Sequence, residues 1–257
     1  MLDKAEPAAD HILLELGFGV WRDGASLRGS AEITPFMHAP GTACLRTSVL
    51  ASWADMISGL LAADAMQPRV PVTLELDVQL YRPAPSSGTV SAVGRSVKAG
   101  RSVFVAEVSF CDARGDEFAF GTGSFMPSPD PALALPPRIS LDVPRHPVRL
   151  AMPLAQRTGL TRLLAGVASL PRALDGLNAA GTMNGGLIAL CAEEAVLSLA
   201  PGETLSSLAL RYLGSVRTGP ATAVADMRDG LARVTLRDAG REDRLAVTAT
   251  ARTFRHP

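Results

Sequence analysis

The part of this 257-residue chain best equipped for chemistry runs from Asn178 to Glu194. It begins as a polar, glycine-containing loop and continues, after Asn184-Gly185-Gly186, as an apolar run with helical spacing. Asn184 is a favourable N-cap, and the two glycines behind it would let a ligand approach the first free N–H groups of the helix. A helix start carries partial positive charge that suits a developing oxyanion, and carboxylates follow about two turns later. These groups suffice to hydrolyse an activated acyl compound, although the same residues also occur as a simple cap and turn.

The elements that must position this segment follow from the hydrophobic pattern. In the first half, Leu45 to Ala65 is the longest predicted helix, and the strict alternation of Thr73 to Leu80 predicts a strand with one face on a core. A short helix from Ala8 to Leu16 and a hairpin that turns at Asp23-Gly24 are predicted before them. Further strands are predicted at 88–97, 102–111 and 117–126. The predicted order is therefore a hairpin, one long helix and an antiparallel meander of four strands.

A proline-rich stretch separates this pattern from a second copy of it. Residues 126 to 148 contain seven prolines, which predict a stiff linker because they leave little room for a helix or a sheet interior. Beyond it come strand material at 160–174, a loop and helix at 178–199, and strands at 205–213, 221–227, 232–238 and 245–254. Corresponding residues recur about 130 positions apart: Tyr81 with Tyr212, Gly88 with Gly219, Gly100 with Gly230, Asp112 with Asp238, and Phe125 with Phe254. This order and spacing indicate an internal duplication.

The duplication predicts an α+β fold made of two similar domains. Each domain is expected to be a long helix wrapped by an antiparallel sheet, because each buries one helix face and one sheet face. The predicted boundaries are 1–126 for the first domain, 127–147 for the linker and 148–257 for the second domain. Two copies in one chain are expected to pack about a pseudo-two-fold axis as an intramolecular pseudo-dimer.

Composition limits the classes of function. Hydrophobic residues make up 47% of the chain, charged residues 19%, and Lys+Arg balance Asp+Glu at 25 each, so neither disorder nor nucleic-acid binding is expected. The most apolar region, Val49 to Met66, is interrupted by Asp55 and Asp64, and no membrane span is expected. Three cysteines without a Cys-x-x-Cys pair, and an N-terminus without an apolar signal core, favour a reduced, cytoplasmic protein. The four histidines are far apart in sequence, so no metal or redox cofactor is implied.

The order of elements resembles the hotdog fold. The segment Asn178-Ala-Ala-Gly-Thr-Met-Asn-Gly-Gly, followed by Ala192-Glu193-Glu194-Ala195, is similar to the signature of phenylacetate-pathway (PaaI-type) acyl-CoA thioesterases. That signature consists of Asn, a short gap, Gly-x-His-Gly-Gly, and then Leu-Ala-Asp on the helix. The resemblance covers nearly the whole chain as two tandem hotdog domains. It implies hydrolysis of an acyl-CoA thioester, with CoA present only as part of the substrate.

The resemblance also implies roles for individual residues. Gly185 matches the glycine whose N–H polarises the thioester carbonyl, Glu193 matches the helix acid, and Asn178 matches the loop asparagine. In the first copy, Trp53-Ala54-Asp55 matches Leu-Ala-Asp, so Asp55 is the corresponding acid. Burial would raise the pKa of Asp55 by desolvation, while the opposing helix dipole would lower it.

The two copies depart from the signature to different degrees. Arg46-Thr47-Ser48 stands where the family has His-Gly-Gly, so the first copy lacks the glycine pair. Family sites take the amide from one protomer and the acid from the other. Gly185 is therefore expected to face Asp55, and Thr47 to face Glu193. We expect the first of these composite sites to work and the second to be degraded.

Six further residues are candidate substrate contacts. They are Asn184, which replaces the histidine of the signature, Gly186, Arg46, Thr47, Arg82 and Arg217. The arginines are candidate partners for CoA phosphates. Simpler roles are open for two of these candidates: Arg46 on a helix surface, and Thr47 as a hydrogen-bonding residue at a helix start. The loop residue Asn178 can likewise be a turn residue.

Alternatives remain open at the level of mechanism and of function. Asp55 can act as a general base or as a nucleophile that forms a transient acyl anhydride. A catalytically silent acyl-thioester-binding protein is the first alternative function, favoured by the missing His-Gly-Gly in the first copy. A hotdog enoyl-CoA hydratase is the second, although such enzymes use an Asp–His pair and no histidine follows either acid suitably. The expected partners are an acyl-CoA or acyl-carrier thioester and further copies of the chain in a homo-oligomer.

Overall fold

The computed structural model describes residues 11–254, which form one antiparallel sheet of twelve strands packed against two long helices. The strands are β1 (Gly19–Asp23), β2 (Ser26–Glu32), β3 (Pro71–Leu80), β4 (Thr89–Ala99), β5 (Phe104–Cys111), β6 (Glu117–Pro127), β7 (Thr161–Leu164), β8 (Val167–Leu170), β9 (Leu205–Tyr212), β10 (Ala221–Arg228), β11 (Leu231–Asp238) and β12 (Arg244–Thr253). The helices are α1 (Thr47–Met66), α2 (Leu154–Arg157) and α3 (Gly185–Leu197), with short 3-10 helices at Ile12–Leu16, Pro35–Met37 and Leu174–Gly176. Residues 8–10 of the first predicted helix lie outside the described residues.

The order of the strands in the sheet confirms the duplication. It is β1-β2-β4-β5-β6-β3-β9-β12-β11-β10-β8-β7, so the second six strands repeat the first six in reverse. The halves meet where β3 pairs antiparallel with β9, through Asp77 opposite Ala209 and Val78 opposite Leu208. The offset that relates Tyr81 to Tyr212 also relates Asp77 to Leu208 and Val78 to Ala209. It converts each of these pairs into the other, so the pseudo-two-fold axis passes between them. The predicted tandem hotdog fold, arranged as a pseudo-dimer, is confirmed.

The predicted meander was wrong in one respect. A meander would place β3 beside β4, whereas β3 pairs with β6 and β4 pairs with β2. The connection from β3 to β4 explains the difference, because it is fixed to the first half of the domain. Leu45 N–H donates to Pro85 O at 3.1 Å, and Ile33 N–H donates to Gly88 O at 3.0 Å. This connection carries the chain to the far side of the domain and leaves β3 at the junction of the two halves.

Helix α1 is the core of the first unit. By length and composition alone, this helix could cross a membrane. Most of it is buried inside the protein, as is typical of a core helix. Trp53 is fully buried and stacks on Phe18 with ring centroids 4.9 Å apart. Helix α3 packs against α1 closely: a Cβ added to Gly186 would collide with Ser52 Oγ. A small residue at this position is therefore needed for the two helices to approach.

The proline-rich linker lies along the first unit. Between β6 and α2, residues 128–153 form no helix and only isolated bridges to other parts of the chain. Val20 and Val143 exchange two N–H···O bonds of 2.8 Å, and Asp142 accepts a bond of 2.8 Å from Arg22 N–H. The linker thereby covers the edge strand β1. The opposite edge strand, β7, is exposed at all four of its residues.

Candidate active site

The start of helix α3 has one occupied and one available N–H group. Asn184 is the N-cap, with extended backbone torsions, and its Oδ1 accepts a bond of 2.8 Å from Gly186 N–H. The predicted substrate contacts Asn184 and Gly186 therefore satisfy each other. Gly185 N–H has no hydrogen-bond acceptor among the described residues. It is the first free donor of the helix. It lies at the helix start, where the partial positive charge of the helix dipole stabilises a negatively charged oxygen.

The Asp55 carboxyl lies beside this helix start, as the composite arrangement predicts. A Cβ added to Gly185 would lie 3.3 Å from Asp55 Oδ2, so the carboxyl lies beside the glycine. Asp55 is half-buried and forms no ion pair within the described part of the chain. Desolvation raises the pKa of Asp55 to about 6, and a hydrogen bond from Thr73 Oγ1 (3.2 Å) opposes the shift. The carboxyl is therefore more basic than an ordinary aspartate.

Thr73 reaches Asp55 because of an irregularity in β3. The alternation of β3 places Leu76 and Val78 towards the helix and would turn Thr73 outwards. The pairing of β3 with β6 shifts between Thr73 and Glu75, which puts Thr73 opposite the buried Phe125. Such a bulge reverses the side that the following residues face. Sequence periodicity gave no signal for it, and Thr73 was missed as a site residue.

Tyr212 is the second residue at this site that sequence reasoning missed. It ends β9, is half-buried, and donates a hydrogen bond of 3.0 Å from its hydroxyl to Gly185 O. A Cβ added to Gly185 would lie 3.1 Å from Tyr212 Oη, so the phenol and the Asp55 carboxyl flank the same glycine. Desolvation and the Asp55 charge raise the pKa of Tyr212 well above its ordinary value, which keeps the hydroxyl protonated. The only sequence signal was its repeat with Tyr81.

The second composite pair, Glu193 with Thr47, is closed by its own hydrogen bonds. Glu193 is fully buried, and its Oε1 accepts bonds from Thr47 N–H (2.9 Å) and Ser48 N–H (3.2 Å) at the start of α1. Its Oε2 accepts a bond of 2.5 Å from Ser48 Oγ and lies 3.2 Å from Arg46 Nη1. Burial raises the pKa of Glu193, while Arg46 and Ser48 oppose the shift. The carboxylate caps α1 and occupies the position that a substrate oxygen would need.

Arg46 connects the two halves of the protein inside the core. It is 2% exposed, and its second terminal nitrogen lies 2.5 Å from Glu194 Oε1. Arg162 binds the other oxygen of Glu194 at 2.7 Å. The predicted contact of Arg46 with a CoA phosphate was therefore wrong, because its guanidinium is buried and already paired with two carboxylates. Thr47 is likewise occupied, since its Oγ1 donates to Leu205 O at 3.1 Å.

Comparison with known proteins adds a family to this geometry. Residues 47–119, which include α1, β3 and the Asp55–Thr73 pair, match the family model of the thioesterase superfamily. The match covers helix α1 and strands β3 to β5 of the first hotdog unit. No curated protein sequence matches the chain.

Solved structures similar to the whole chain agree with the double-hotdog fold. An acyl-ACP thioesterase from Bacteroides thetaiotaomicron is 12% identical with a TM-score of 0.62, and the match covers 94% of this chain and 99% of that one. A putative thioesterase from Novosphingobium aromaticivorans is 18% identical with a TM-score of 0.61, covering 93% and 98%. A tesB protein from Mycobacterium avium subs paratuberculosis is 15% identical with a TM-score of 0.63, covering 96% and 98%. At these identities the similarity shows the fold. The PaaI-type subfamily stays a prediction.

The remaining predicted residues lie in local networks. Asn178 Oδ1 accepts bonds from Ala180 N–H and from both donors of Thr182, which closes the loop before α3. Arg82 Nη2 pairs with Asp112 at 3.0 Å. Arg217 is exposed and donates only its backbone N–H, to Asp238, within the described contacts. Roles for these residues in binding a substrate stay predictions.

A pocket lies close to the Asp55 region, but the acid is not part of its lining. This small apolar pocket, next to the start of α3, is lined by residues that include Met183 and Leu187. Within residues 11–254, no group of three or more His, Cys, Asp or Glu side chains is placed to hold a metal ion. The polar groups gathered at the Asp55 region are the carboxyl, the Gly185 amide, Thr73 and Tyr212.

Proposed function

We propose that the protein is an acyl-thioester hydrolase with one active site, formed by Asp55 of the first hotdog unit and Gly185 of the second. One observation carries the proposal: the Asp55 carboxyl lies beside the helix-start residue Gly185, and within residues 11–254 neither a cation pairs with the acid nor an acceptor binds the Gly185 N–H. At a pKa of about 6, Asp55 is about nine-tenths ionised at neutral pH and still basic enough to accept a proton. Both properties suit the hydrolysis of an electrophilic carbonyl.

The Gly185 N–H serves as the oxyanion donor in this proposal. The thioester carbonyl oxygen would accept its hydrogen bond, and the partial positive charge of the α3 start would stabilise the negative charge that develops there. Removal of one such donor typically costs about 3 kcal/mol of transition-state stabilisation. The absence of a side chain at Gly185 leaves room for the carbonyl group to approach.

Asp55 supplies the base or the nucleophile. As a base, it takes a proton from water while the water oxygen bonds to the carbonyl carbon. Collapse of the tetrahedral intermediate breaks the carbon–sulfur bond, and the departing thiolate takes the proton from Asp55. In the nucleophilic route, an Asp55 oxygen attacks the carbonyl carbon, and the carbon–sulfur bond breaks to give the anhydride and a thiolate. Water then hydrolyses the anhydride, which releases the carboxylic acid, regenerates the Asp55 carboxylate and supplies the proton that the thiolate takes up. Thr73 holds one Asp55 oxygen by its 3.2 Å bond and so fixes the orientation of the carboxyl in either route.

The Glu193 side is structural in this proposal. Three hydrogen bonds and Arg46 already occupy Glu193, and its carboxylate takes the N–H groups that a second oxyanion hole would use. A catalytically silent protein would be favoured if arginine paired both acids, but it pairs only Glu193. A hydratase with an Asp–His pair also lacks support, because no described histidine contacts Asp55 or Glu193.

The proposed substrate is an acyl thioester of CoA or of a carrier protein. The solved neighbours include proteins named as acyl-ACP thioesterases, from Bacteroides thetaiotaomicron and Umbellularia californica. CoA takes part only as a portion of the substrate, and no other cofactor is proposed. A cytoplasmic location is supported by three free cysteines, and a homo-oligomer is supported by the exposed edge of β7.

Thiol release from a panel of acyl-CoA esters tests the proposal, with the wild type beside Asp55→Asn and Glu193→Gln. We expect Asp55→Asn to lose roughly 10²–10⁴-fold in kcat, because it removes the base or nucleophile but keeps the size of the side chain. Glu193→Gln should keep most of its activity per folded molecule. Loss confined to Glu193→Gln would move the chemistry to the other half. Binding of CoA esters without thiol release by the wild type would favour a silent binding protein.

A further inference from the structure

We propose that Tyr212 is the positioning residue of this site: its hydroxyl holds the Gly185–Gly186 peptide so that the Gly185 N–H stays aimed beside Asp55. The inference rests on the proposed function and extends it by giving a role to Tyr212. Its starting point is the 3.0 Å bond from Tyr212 Oη to Gly185 O, between β9 and the first residue of α3. Tyr212 touches the backbone of the oxyanion donor and acts through it.

Gly185 needs such support because glycine restrains its own backbone least. The peptide after it is held on both sides: Gly186 N–H donates to Asn184 Oδ1 at 2.8 Å, and Gly185 O accepts from Tyr212. The peptide before it is held where Asn184 O accepts from Leu187 N–H and Ile188 N–H, both at 3.1 Å. Removing the Tyr212 hydroxyl frees the only one of these contacts that comes from the sheet. A displacement of about 1 Å at a reacting group can cost 10²-fold in rate.

The protonation state of Tyr212 suits this task. Its pKa is raised by burial and by the Asp55 charge, so the hydroxyl remains a donor over the whole range in which Asp55 titrates. The bond to Gly185 O therefore persists whether Asp55 is ionised or protonated. Desolvation and the Thr73 hydrogen bond shift the pKa of Asp55, and the Tyr212 hydroxyl donates to Gly185 O instead of to the acid.

The duplicated partner of Tyr212 provides a matched control inside the same molecule. Tyr81 directly follows β3, and Tyr212 is the last residue of β9. The Tyr81 side chain is 64% exposed, and its ring lies against Phe120 with centroids 5.6 Å apart. It follows that Tyr81 does not anchor the start of α1, where Glu193 already binds the N–H groups of Thr47 and Ser48. A tyrosine that positions a donor is thus found only beside the site proposed to be active.

The experiment compares Tyr212→Phe with Tyr81→Phe, measuring kcat and KM for the best acyl-CoA ester, the pH profile, and amide hydrogen exchange in the segment 184–188. We expect Tyr212→Phe to lower kcat about 10- to 100-fold with a smaller change in KM, because the donor is misplaced mainly in the transition state. Exchange in 184–188 should speed up, and the acidic limb of the profile should stay near pH 6. Tyr81→Phe should match the wild type in all three measurements.

Each result is informative. Equal kcat values for Tyr212→Phe and the wild type, or unchanged exchange in 184–188, would overturn the positioning role. A shifted acidic limb would also overturn it, because Tyr212 would then act on the proton affinity of Asp55. If Asp55→Asn retains wild-type activity, the thioesterase site itself fails. The exchange measurement needs no turnover and still decides whether Tyr212 anchors the Gly185 peptide.

Discussion

The two composite pairs of this molecule occupy equivalent positions, but they differ in whether the acid binds the N–H groups of the helix start that it faces. Asp55 and Glu193 lie at the same distance along their helices from the N-caps Arg46 and Asn184, and each lies at the start of the other helix. Glu193 accepts the N–H groups of its facing helix, and Asp55 does not. One helix start is therefore closed by a carboxylate, while the other has a free donor beside a basic acid.

The difference comes from side-chain length and from a cation. Glu193 is one methylene longer than Asp55, which lets its carboxylate reach two backbone N–H groups, and Arg46 compensates its buried charge. Among the described residues, Asp55 accepts no hydrogen bond from Gly185 N–H and forms no ion pair. The comparison shows that the same carboxyl-to-helix arrangement can serve as a cap or as a site, depending on whether the acid satisfies the donors itself.

Removal of Arg46 should produce the largest effect on this contrast. Arg46→Met leaves Glu193 and Glu194 buried without their shared cation, and breaking a buried pair in this way costs about 3–5 kcal/mol of stability. Urea unfolding would measure the loss, with thiol release per folded molecule expected to stay near wild type.

A surface arginine provides the control for this variant. Arg28 forms an ion pair with Asp23 and is about half exposed, so Arg28→Met should cost no more than about 1 kcal/mol. Equal losses for the two variants would mean that the closed pair is not a structural device.

Lengthening Asp55 should convert the open pair into a closed one. Asp55→Glu adds the methylene that lets Glu193 cap its helix, and the new carboxylate should accept the Gly185 N–H. We expect kcat to fall about 10²- to 10³-fold, the cost of losing one oxyanion donor. Steady-state thiol release and a melting curve would show whether activity is lost in a folded protein. A variant that keeps half of its activity would contradict the importance of the free Gly185 N–H.

The pH dependence should give the smallest of the three effects. Because Asp55 acts in its ionised form and its pKa is raised to about 6, kcat/KM should fall about tenfold per unit below that pH and level off above it. Glu193→Gln should show the same acidic limb, since the closed pair takes no part in the reaction. A midpoint near that of an ordinary aspartate would place Asp55 in contact with more solvent than the structure indicates.

Much of this arrangement could be predicted from the sequence because it depends on periodicity and repetition. Matched residues about 130 positions apart disclosed the duplication, and a resemblance on the 178–186 segment paired Gly185 with Asp55 and Thr47 with Glu193. The structure places each pair together. The catalytic roles of these residues stay predictions.

The rest of the site could not be predicted because it depends on one-residue irregularities and distant contacts. Thr73 occupies a polar position of an alternating strand, and only the bulge before Glu75 turns it towards Asp55. Tyr212 and Tyr81 have the same position in their copies, and nothing local shows that only one is turned to a helix start. Nothing in the sequence around Arg46 indicates that its guanidinium is buried between two glutamates.

The proline-rich linker has a consequence for how such a site can diverge. In a dimer of identical chains, every substitution appears at both symmetry-related sites, so an arginine that closes one helix start closes the other as well. Here the two helix starts are encoded separately, and Arg46 stands opposite Asn184 at the corresponding N-cap. Joining the copies into one polypeptide removes the constraint of symmetry. One copy of the ancestral arrangement is then free to specialise in holding the halves together, while the other retains an open helix start.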